Sequence, residues 1–199
     1  MHAEISSIPK LTSIQTMAVK QCLPIFIWCL LSLSLEAQNL TSVVSRWDDS
    51  FIEWYFYTEN EDEEGELKMR WQLQNDWSEW EYRLNDYNGT IKLKWRDNPN
   101  EWELRGNNKI VTARTLWNND LREWRITDNS KTLTLKSKWG NQLDEWELRD
   151  SPKGNFYMYT TTERDPRNWE IADELNADIS FQMKMMLMFI VAFHSSPKQ

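Results

Sequence analysis

Residues 179–193 read Ile-Ser-Phe-Gln-Met-Lys-Met-Met-Leu-Met-Phe-Ile-Val-Ala-Phe, a segment that is apolar almost all the way round a helix. A helix that is apolar on every side is a buried helix, so this segment needs protein around it. Residues 43–172 can provide that shell, because they read as amphipathic strands with one apolar face. The sequence therefore predicts a sheet wrapped around its own C-terminal helix, which we place at residues 178–193 with Asp178 as the N-cap.

A repeat of 22 residues organises the region before the helix. Its first column of tryptophans lies at Trp80, Trp102, Trp124 and Trp146, and extends to Trp54 and Trp169. A second column lies at Trp47, Trp71, Trp95, Trp117 and Trp139, and has no tryptophan near Thr161 in the sixth unit. The tryptophans of both columns alternate in phase with Leu and Ile along the predicted strands, so they fall on the same face. This favours core positions over an exposed platform for sugar stacking. Trp77 breaks the pattern and is expected to be exposed in a turn.

Each repeat unit contains two strands. Thr90-Ile-Lys-Leu-Lys-Trp95 alternates apolar and polar residues, as a half-buried antiparallel strand does. A hairpin centred on 98–99 pairs Trp95 with Trp102, and a turn centred on 107–108 pairs Leu104 with Val111, so that apolar side chains face each other. Six such units give twelve strands in a continuous up-and-down meander.

Twelve strands with one apolar face are expected to close, since closure covers that face and removes the sheet edges. Strands ~4.8 Å apart and tilted by ~40° give a barrel ~24 Å in diameter, too wide for side chains alone to fill. A helix ~10–12 Å across fills the remaining space. The predicted fold is mainly β: a twelve-stranded antiparallel up-and-down barrel that encloses a hydrophobic C-terminal helix.

A twelve-stranded barrel threaded by an apolar C-terminal helix resembles the tubby-like superfamily, which includes the phospholipid scramblases and the LURP-one-related proteins of plants. The tail that begins at Asp178 is similar to the scramblase ending, with an acidic start, Met-Lys and a long apolar helix. Two departures limit what the resemblance implies. The palmitoylated cysteine run of scramblases is missing. Several members bind phosphoinositides through basic residues, and we do not expect this binding here because the chain is acidic.

Residues 1–37 are predicted to be a secretory signal peptide, with Met17 as an alternative start. Lys20 supplies the basic region, Cys22–Leu35 the apolar region and Ala37 the small residue before the cut. The alternative is an uncleaved anchor, but the apolar region is shorter than the ~20 residues that a membrane span needs. Residues 38–199 are then a single exported domain of the cell envelope, periplasm or extracellular space. Both cysteines lie in the signal, so this domain has no disulfide.

The composition excludes several classes of function. A net charge of −8 argues against nucleic-acid binding. His194 is the only histidine after residue 37, which argues against a Ser-His-Asp or Cys-His site, and it is expected as a favourable cation at the helix C-terminus. Zinc-ligand spacing and a glycine-rich phosphate loop are absent from the sequence. We therefore predict no catalytic, cofactor-binding or metal-binding residues.

Acidic residues invite two further interpretations. The run Glu59, Glu61, Asp62, Glu63 and Glu64 is either a calcium site or a solvated loop, and the loop is favoured because the alternating ligand pattern is missing. Glutamates and arginines on the strand faces are either paired carboxylates for glycosidic chemistry or a cross-strand charge ladder. The ladder is favoured, because alternating strands place charges of opposite sign on the outer wall.

The leading functional hypothesis is a non-enzymatic exported barrel that serves as a binding or structural module. One alternative is a glycan-binding or glycan-active envelope protein, which a row of exposed tryptophans at one end of the barrel would favour. Another is a membrane-tethered protein whose apolar tail inserts into lipid. Partners in the cell envelope, glycans and lipids therefore all stay open at this point.

The predicted signal peptide has a direct test. Removal after Ala37 should leave Gln38 as the first residue of the exported protein. N-terminal sequencing of exported material measures this, and a chain that still begins at Met1 or Met17 would contradict the prediction.

Overall fold

Twelve antiparallel strands close into a barrel around one helix in the computed structural model of the chain, which describes residues 38–60, 63–148 and 151–198. Every strand pairs with its neighbours in sequence, and the first strand closes the barrel by pairing with the last. The predicted fold class is therefore confirmed. The strands are β1 (Leu40–Ser45), β2 (Glu53–Thr58), β3 (Glu64–Trp71), β4 (Asp76–Leu84), β5 (Tyr87–Leu93), β6 (Glu101–Gly106), β7 (Lys109–Thr115), β8 (Glu123–Thr127), β9 (Thr132–Ser137), β10 (Glu145–Leu148), β11 (Gly154–Thr162) and β12 (Asp165–Leu175).

The helix, α1 (Phe181–Ser195), begins and ends later than the sequence suggested. Its N-cap is Ser180, not Asp178, and the Ser180 side chain makes no capping hydrogen bond. Asp178 lies in the preceding turn, where its carboxylate forms an ion pair with Lys131 at 2.5 Å. The strands also run beyond the predicted limits of 43–172, from Leu40 to Leu175, because Leu40 pairs with Thr58 of β2 and residues 173–175 pair with β11.

Helix α1 fills the lumen. All of its residues from Phe181 to Phe193 are buried. Its first turn packs Phe181 against Tyr87 with ring centroids 4.7 Å apart, and its last turn packs Phe193 against Trp102 at the same separation. This burial disagrees with the alternative in which the tail inserts into lipid, and no helix of the described residues is long and apolar enough to cross a membrane.

Glycines make room where aromatic side chains turn inward. A Cβ added at Gly65 would lie 2.2 Å from the ring of Phe56 on the neighbouring strand. Gly89 and Gly106 face each other across β5 and β6, and the Tyr82 side chain lies within 2.8 Å of a Cβ built on either. Larger residues at these three positions would collide with rings that line the lumen.

The predicted strand register is right at one hairpin and wrong at the next. Leu104 pairs with Val111, as predicted. Trp102 pairs with Leu93, however, and not with Trp95. Strand β5 ends at Leu93, and the connection to β6 is a seven-residue loop, 94–100, in which Asp97 adopts a left-handed conformation with φ of 66°. The alternation of apolar and polar residues therefore stops before Trp95, which lies outside the lumen.

The first tryptophan column lies inside the barrel, as predicted, and all six of its members are buried. In five of them the indole Nε1 donates a hydrogen bond of 2.7–3.0 Å to the carbonyl oxygen of the residue three positions earlier. A buried indole N–H needs such an acceptor. The five are Trp54, Trp80, Trp124, Trp146 and Trp169.

One ion pair lies inside the lumen. Lys184 of α1 contacts Asp173 of β12 at 3.0 Å, and both side chains are 0 % exposed. The Lys184 ammonium also donates to the Asn39 side chain at 2.5 Å, and the carboxylate accepts the backbone N–H groups of Leu40 and Leu175 at 3.0 and 3.2 Å. Because its members come from the helix and from the two strands that close the barrel, this pair fixes the axial position of α1.

Substitution of Lys184 tests how much this ion pair contributes to stability. Lys184→Met leaves a buried carboxylate without its cation, which should lower the free energy of unfolding by ~3–5 kcal/mol. Lys136→Met is the matched control, because Lys136 pairs with Glu147 at 2.8 Å on the partly exposed outer wall and should cost less than ~1 kcal/mol. Urea denaturation measures both, and equally small losses would show that the lumen pair is not desolvated.

Candidate functional site

The second tryptophan column lies outside the barrel, on a single rim. Consecutive strands are antiparallel, so odd-numbered strands end, and even-numbered strands begin, at the same rim. The members of the column are 42–65 % exposed there, although the sequence predicted core positions. They lie at or just after the ends of the odd strands, where the alternation of inward and outward residues no longer holds. We call the following five residues the tryptophan rim: Trp47, Trp71, Trp95, Trp117 and Trp139.

Glutamate carboxylates hold all five rim indoles. Each indole Nε1 donates to a glutamate at or near the start of the following strand, over 2.9–3.2 Å. That glutamate directly precedes a buried tryptophan in each unit, so the inner column fixes the position of the outer one. The acceptors are Glu53, Glu79, Glu101, Glu123 and Glu145.

A cation completes the arrangement in four of the five units. The residue before the rim tryptophan is a lysine or arginine whose charged group lies 5.0–6.0 Å from the centroid of the indole ring. The same cation forms an ion pair of 2.6–3.2 Å with the glutamate that holds the indole. Leu116 takes the place of the cation before Trp117, which is the most exposed member at 65 %.

These contacts favour the ionised form of three rim carboxylates. The hydrogen bond from Trp71 lowers the pKa of Glu79 below its usual value, and the hydrogen bond from Lys94 does the same for Glu101. Hydrogen bonds from Lys138, Tyr157 and Trp139 lower the pKa of Glu145 to about 2. The arrangement of indole, carboxylate and cation should therefore persist in mildly acidic solution.

The sixth unit differs from the others, as the sequence indicated. No rim tryptophan follows β11, so the tryptophan rim is an arc and not a complete ring. On the adjoining outer wall, Tyr157 and Tyr159 stack with ring centroids 5.3 Å apart, and the Tyr157 hydroxyl donates to Glu145.

Trp77 was expected to be exposed in a turn, but it is half-buried in a strand. It lies in β4, which begins one residue earlier, at Asp76. Its ring packs 5.8 Å from that of Trp80 and 6.3 Å from that of Phe193, at the mouth of the barrel where α1 ends. The sequence alone does not predict the burial of Trp77, because it depends on the end of α1 lying beside β4 in the folded protein.

His194 lies in the last turn of α1 but is not the expected cation. Its ring stacks on Trp124 at 4.7 Å, and its Nε2 atom is buried. Burial, together with the charge of Lys198, lowers the pKa of His194 to about 3. The imidazole is therefore neutral near pH 7, since desolvation of the charged form outweighs the favourable end of the helix dipole.

Two further groups of acidic residues lie on the outer wall and in the acidic run 59–64. Oppositely charged residues face each other across neighbouring strands, as between Lys68 and Glu81 at 3.3 Å, which confirms the cross-strand ladder. Glu61 and Asp62 of the acidic run lie outside the described residues. Of the others, Glu63 accepts a hydrogen bond from Gln38 and Glu64 accepts one from Tyr57. Residues 38–60, 63–148 and 151–198 contain no group of carboxylates, histidines or cysteines that could hold a metal ion.

Comparison of the chain with protein-family models, with curated proteins and with solved structures finds no match. The barrel and its central helix agree with the tubby-like resemblance in shape, and shape alone does not name that superfamily. The signal peptide predicted for residues 1–37 lies outside the described residues and stays a prediction.

The buried histidine predicts a pH dependence of stability. Its pKa is about 3 in the folded protein and ~6.5 when unfolded, so between these values the unfolded state binds more protons. The free energy of unfolding should therefore fall as the pH drops below ~6.5, by up to ~1.4 kcal/mol per pH unit. Carboxylates protonate mostly below pH ~5, which leaves pH 6.5 to 5 as the window for His194.

His194→Phe is the control for this effect, because it keeps an aromatic ring against Trp124 without a titrating group. Chemical denaturation at pH 6.5, 5.75 and 5.0 should show the decline in the original protein and a flat response in the variant. The same decline in both proteins would mean that His194 is not desolvated.

Proposed function

We propose that the protein is a non-enzymatic exported β-barrel that binds a glycan along the tryptophan rim. The observation that carries the proposal is the row of five exposed indoles on one rim of the barrel, each held by a glutamate. Isolated exposed tryptophans are unremarkable on a protein surface, but a continuous row of them is typical of an interaction site.

The rim is organised before any ligand arrives. Its indole N–H groups already have acceptors, and cations lie over four of the rings, so each ring has a defined orientation. A ligand that stacks on such rings loses little free energy in ordering them. An unheld exposed tryptophan would have to be ordered during binding.

A glycan matches the chemistry around the rings. Sugar rings present apolar C–H faces that stack on indoles, and hydroxyls that need both donors and acceptors beside those faces. The rim offers carboxylate acceptors and ammonium or guanidinium donors, with the amides of Asn98, Asn100, Asn118 and Asn119 between Trp95 and Trp117. The cations are already paired with glutamates, so an uncharged oligosaccharide fits better than an anionic one.

The spacing of the rim suits an extended chain. Neighbouring rim tryptophans are two strands apart, which corresponds to ~10–12 Å along the rim of a tilted barrel. An oligosaccharide that follows the rim would therefore contact successive indoles with successive parts of its length. Several weak stacking contacts then raise the overall affinity, because they are all made by one covalently linked ligand.

A membrane surface is a less suitable partner for the same rim. Tryptophan does favour the lipid headgroup region, but each rim indole here shares its position with an ionised glutamate. A net charge of −8 also opposes contact with an anionic leaflet. Leu73, which is 98 % exposed beside Trp71, offers a way to separate the two partners, because it would contribute to lipid contact and not to sugar stacking.

The proposal assigns no catalysis because of the positions of His194 and of the rim carboxylates. The His194 imidazole is stacked against Trp124 with Nε2 buried, so it is not positioned as a general base for a bound ligand. Glu79, Glu101 and Glu145 accept hydrogen bonds from indoles and pair with cations, which keeps their pKa values low and unsuited to a general acid.

Alanine substitutions on the rim test the proposal. Trp95→Ala and Trp117→Ala should each weaken binding of soluble chito-, cello- or manno-oligosaccharides by about tenfold or more, as expected for exposed tryptophan anchors. The melting temperature should change little, because these side chains lie outside the core. Leu73→Ala on the same rim is the matched control and should bind as the original protein does.

Calorimetric titration measures the oligosaccharides, and flotation with phosphatidylcholine and phosphatidylglycerol vesicles measures lipid binding. No oligosaccharide binding up to about 10 mM would refute the proposal. Vesicle binding that Leu73→Ala weakens as much as Trp117→Ala would refute it in favour of a membrane surface.

A further inference from the structure

The regular repeat is interrupted at one place, next to the end of α1. Four units separate the rim tryptophan from the buried tryptophan by seven residues, as between Trp95 and Trp102, but Trp71 and Trp80 are nine apart. The two extra residues accompany a short 3-10 turn, Gln72–Gln74, and bring the additional Trp77 to the mouth of the barrel. An insertion in one unit of a regular barrel requires an explanation beyond the fold.

A cavity of about 570 Å³ lies at this mouth. Its volume is in the range of pockets that hold small molecules. Its wall combines the inserted segment with the 94–100 loop and the end of α1, and its apolar and aromatic members include Trp77, Leu93, Trp102, Leu121 and Phe193.

Trp102 is the exception among the six buried tryptophans. It is 1 % exposed, and its Nε1 has no hydrogen-bond acceptor among the described residues, whereas the other five donate to the carbonyl three positions earlier. An unsatisfied buried donor is unfavourable, and in native proteins it usually has a functional explanation. This donor belongs to a side chain in the wall of the cavity.

The cavity also has a cation, Lys198, in its wall. The Lys198 ammonium lies 4.1 Å from the centroid of the Phe193 ring and donates to the Phe193 carbonyl oxygen at 3.1 Å. No carboxylate of the described residues forms an ion pair with it. Arg96, Asp76 and Asp97 also line the cavity, and an anion is expected to bind at Lys198, which has no acidic partner among the described residues.

We infer that the mouth of the barrel is a second binding site, separate from the tryptophan rim, for a small aromatic carboxylate. The aromatic body of the ligand packs between Trp77 and Phe193. Its carboxylate accepts hydrogen bonds from the Lys198 ammonium and from Trp102 Nε1, which supplies the acceptor that this indole lacks. The pKa of Lys198, which burial lowers, rises when the anion binds.

Two probes of the same shape test the inference. Calorimetric titration of the purified chain with 1-naphthoate should show saturable binding at one site below about 1 mM. The cation 1-naphthylmethylammonium has the same ring system but no acceptor and the opposite charge, and it should not bind at that concentration. Saturable binding of neither probe, or equal binding of both, overturns the inference.

Variants then locate the site. Lys198→Met should weaken 1-naphthoate binding about tenfold, because a charge-assisted hydrogen bond is lost. Trp102→Phe should weaken it, whereas Trp124→Phe, whose indole N–H already donates to Leu121, should change it less than about twofold. Rim substitution Trp117→Ala should leave it unchanged, so a failure here is distinguishable from a failure of glycan binding.

The indole N–H signals give a direct measurement of the new hydrogen bond in the unsubstituted protein, and the Trp102 variant serves only to assign the signal. In a ¹⁵N-labelled sample, one buried indole N–H resonance should shift downfield as 1-naphthoate is added, as expected for a new hydrogen bond to a carboxylate. That resonance should be missing from Trp102→Phe. If the shifting resonance persists there, or if Lys198→Met binds 1-naphthoate as well as the original protein, the assignment of the site is wrong.

Discussion

The side chains from Phe181 to Phe193 meet the barrel wall on every side, and this mutual burial is the constraint on which the rest of the structure depends. A helix without a polar face is stable in water only when it is enclosed, and a twelve-stranded barrel is stable only when its lumen is filled. The helix is not enclosed, and the lumen is not sealed, until the barrel closes through the pairing of β1 with β12. The ion pair of Lys184 and Asp173 lies at this closure and ties the helix to it.

A filled lumen leaves the rims and the outer wall for function. Many barrels of this class of architecture carry ligands inside, but here the helix occupies that volume. The outer wall is a ladder of paired charges, which gives solubility without marking a site. The rim where α1 ends differs from both, because it concentrates aromatic surface and keeps that surface in a fixed orientation.

The two tryptophan columns illustrate how one repeat can serve two purposes. Inner tryptophans such as Trp102 pack on α1, and in the first five units the glutamate directly before the inner tryptophan accepts the indole N–H of the outer one. A single Glu-Trp dipeptide thus joins the core to the exposed rim. Three features depart from this pattern: Leu116 replaces the cation before Trp117, two residues are inserted before Trp80, and the Nε1 of Trp102 has no acceptor among the described residues.

The sequence by itself determined the barrel, because period-two alternation, a 22-residue repeat and an all-apolar helix are local patterns with one compatible architecture. It also placed the inner tryptophans correctly and paired Leu104 with Val111. Lys or Arg directly before four of the rim tryptophans, and Glu directly before five of the six inner ones, were visible in the sequence as a further signal of a polar setting.

Only the tertiary structure decided which tryptophans face water. Odd or even position along a strand assigns a side chain to one face of the sheet, but this rule ends where the strand stops pairing with its neighbour. Strand β5 ends at Leu93, two residues before Trp95, so the rule does not apply to Trp95. The protonation of His194 was equally beyond the sequence, because it depends on burial against Trp124 and on the approach of Lys198. Position in the chain gives neighbours along a strand or helix, whereas exposure and charge depend on contacts that form only when the barrel closes around the helix.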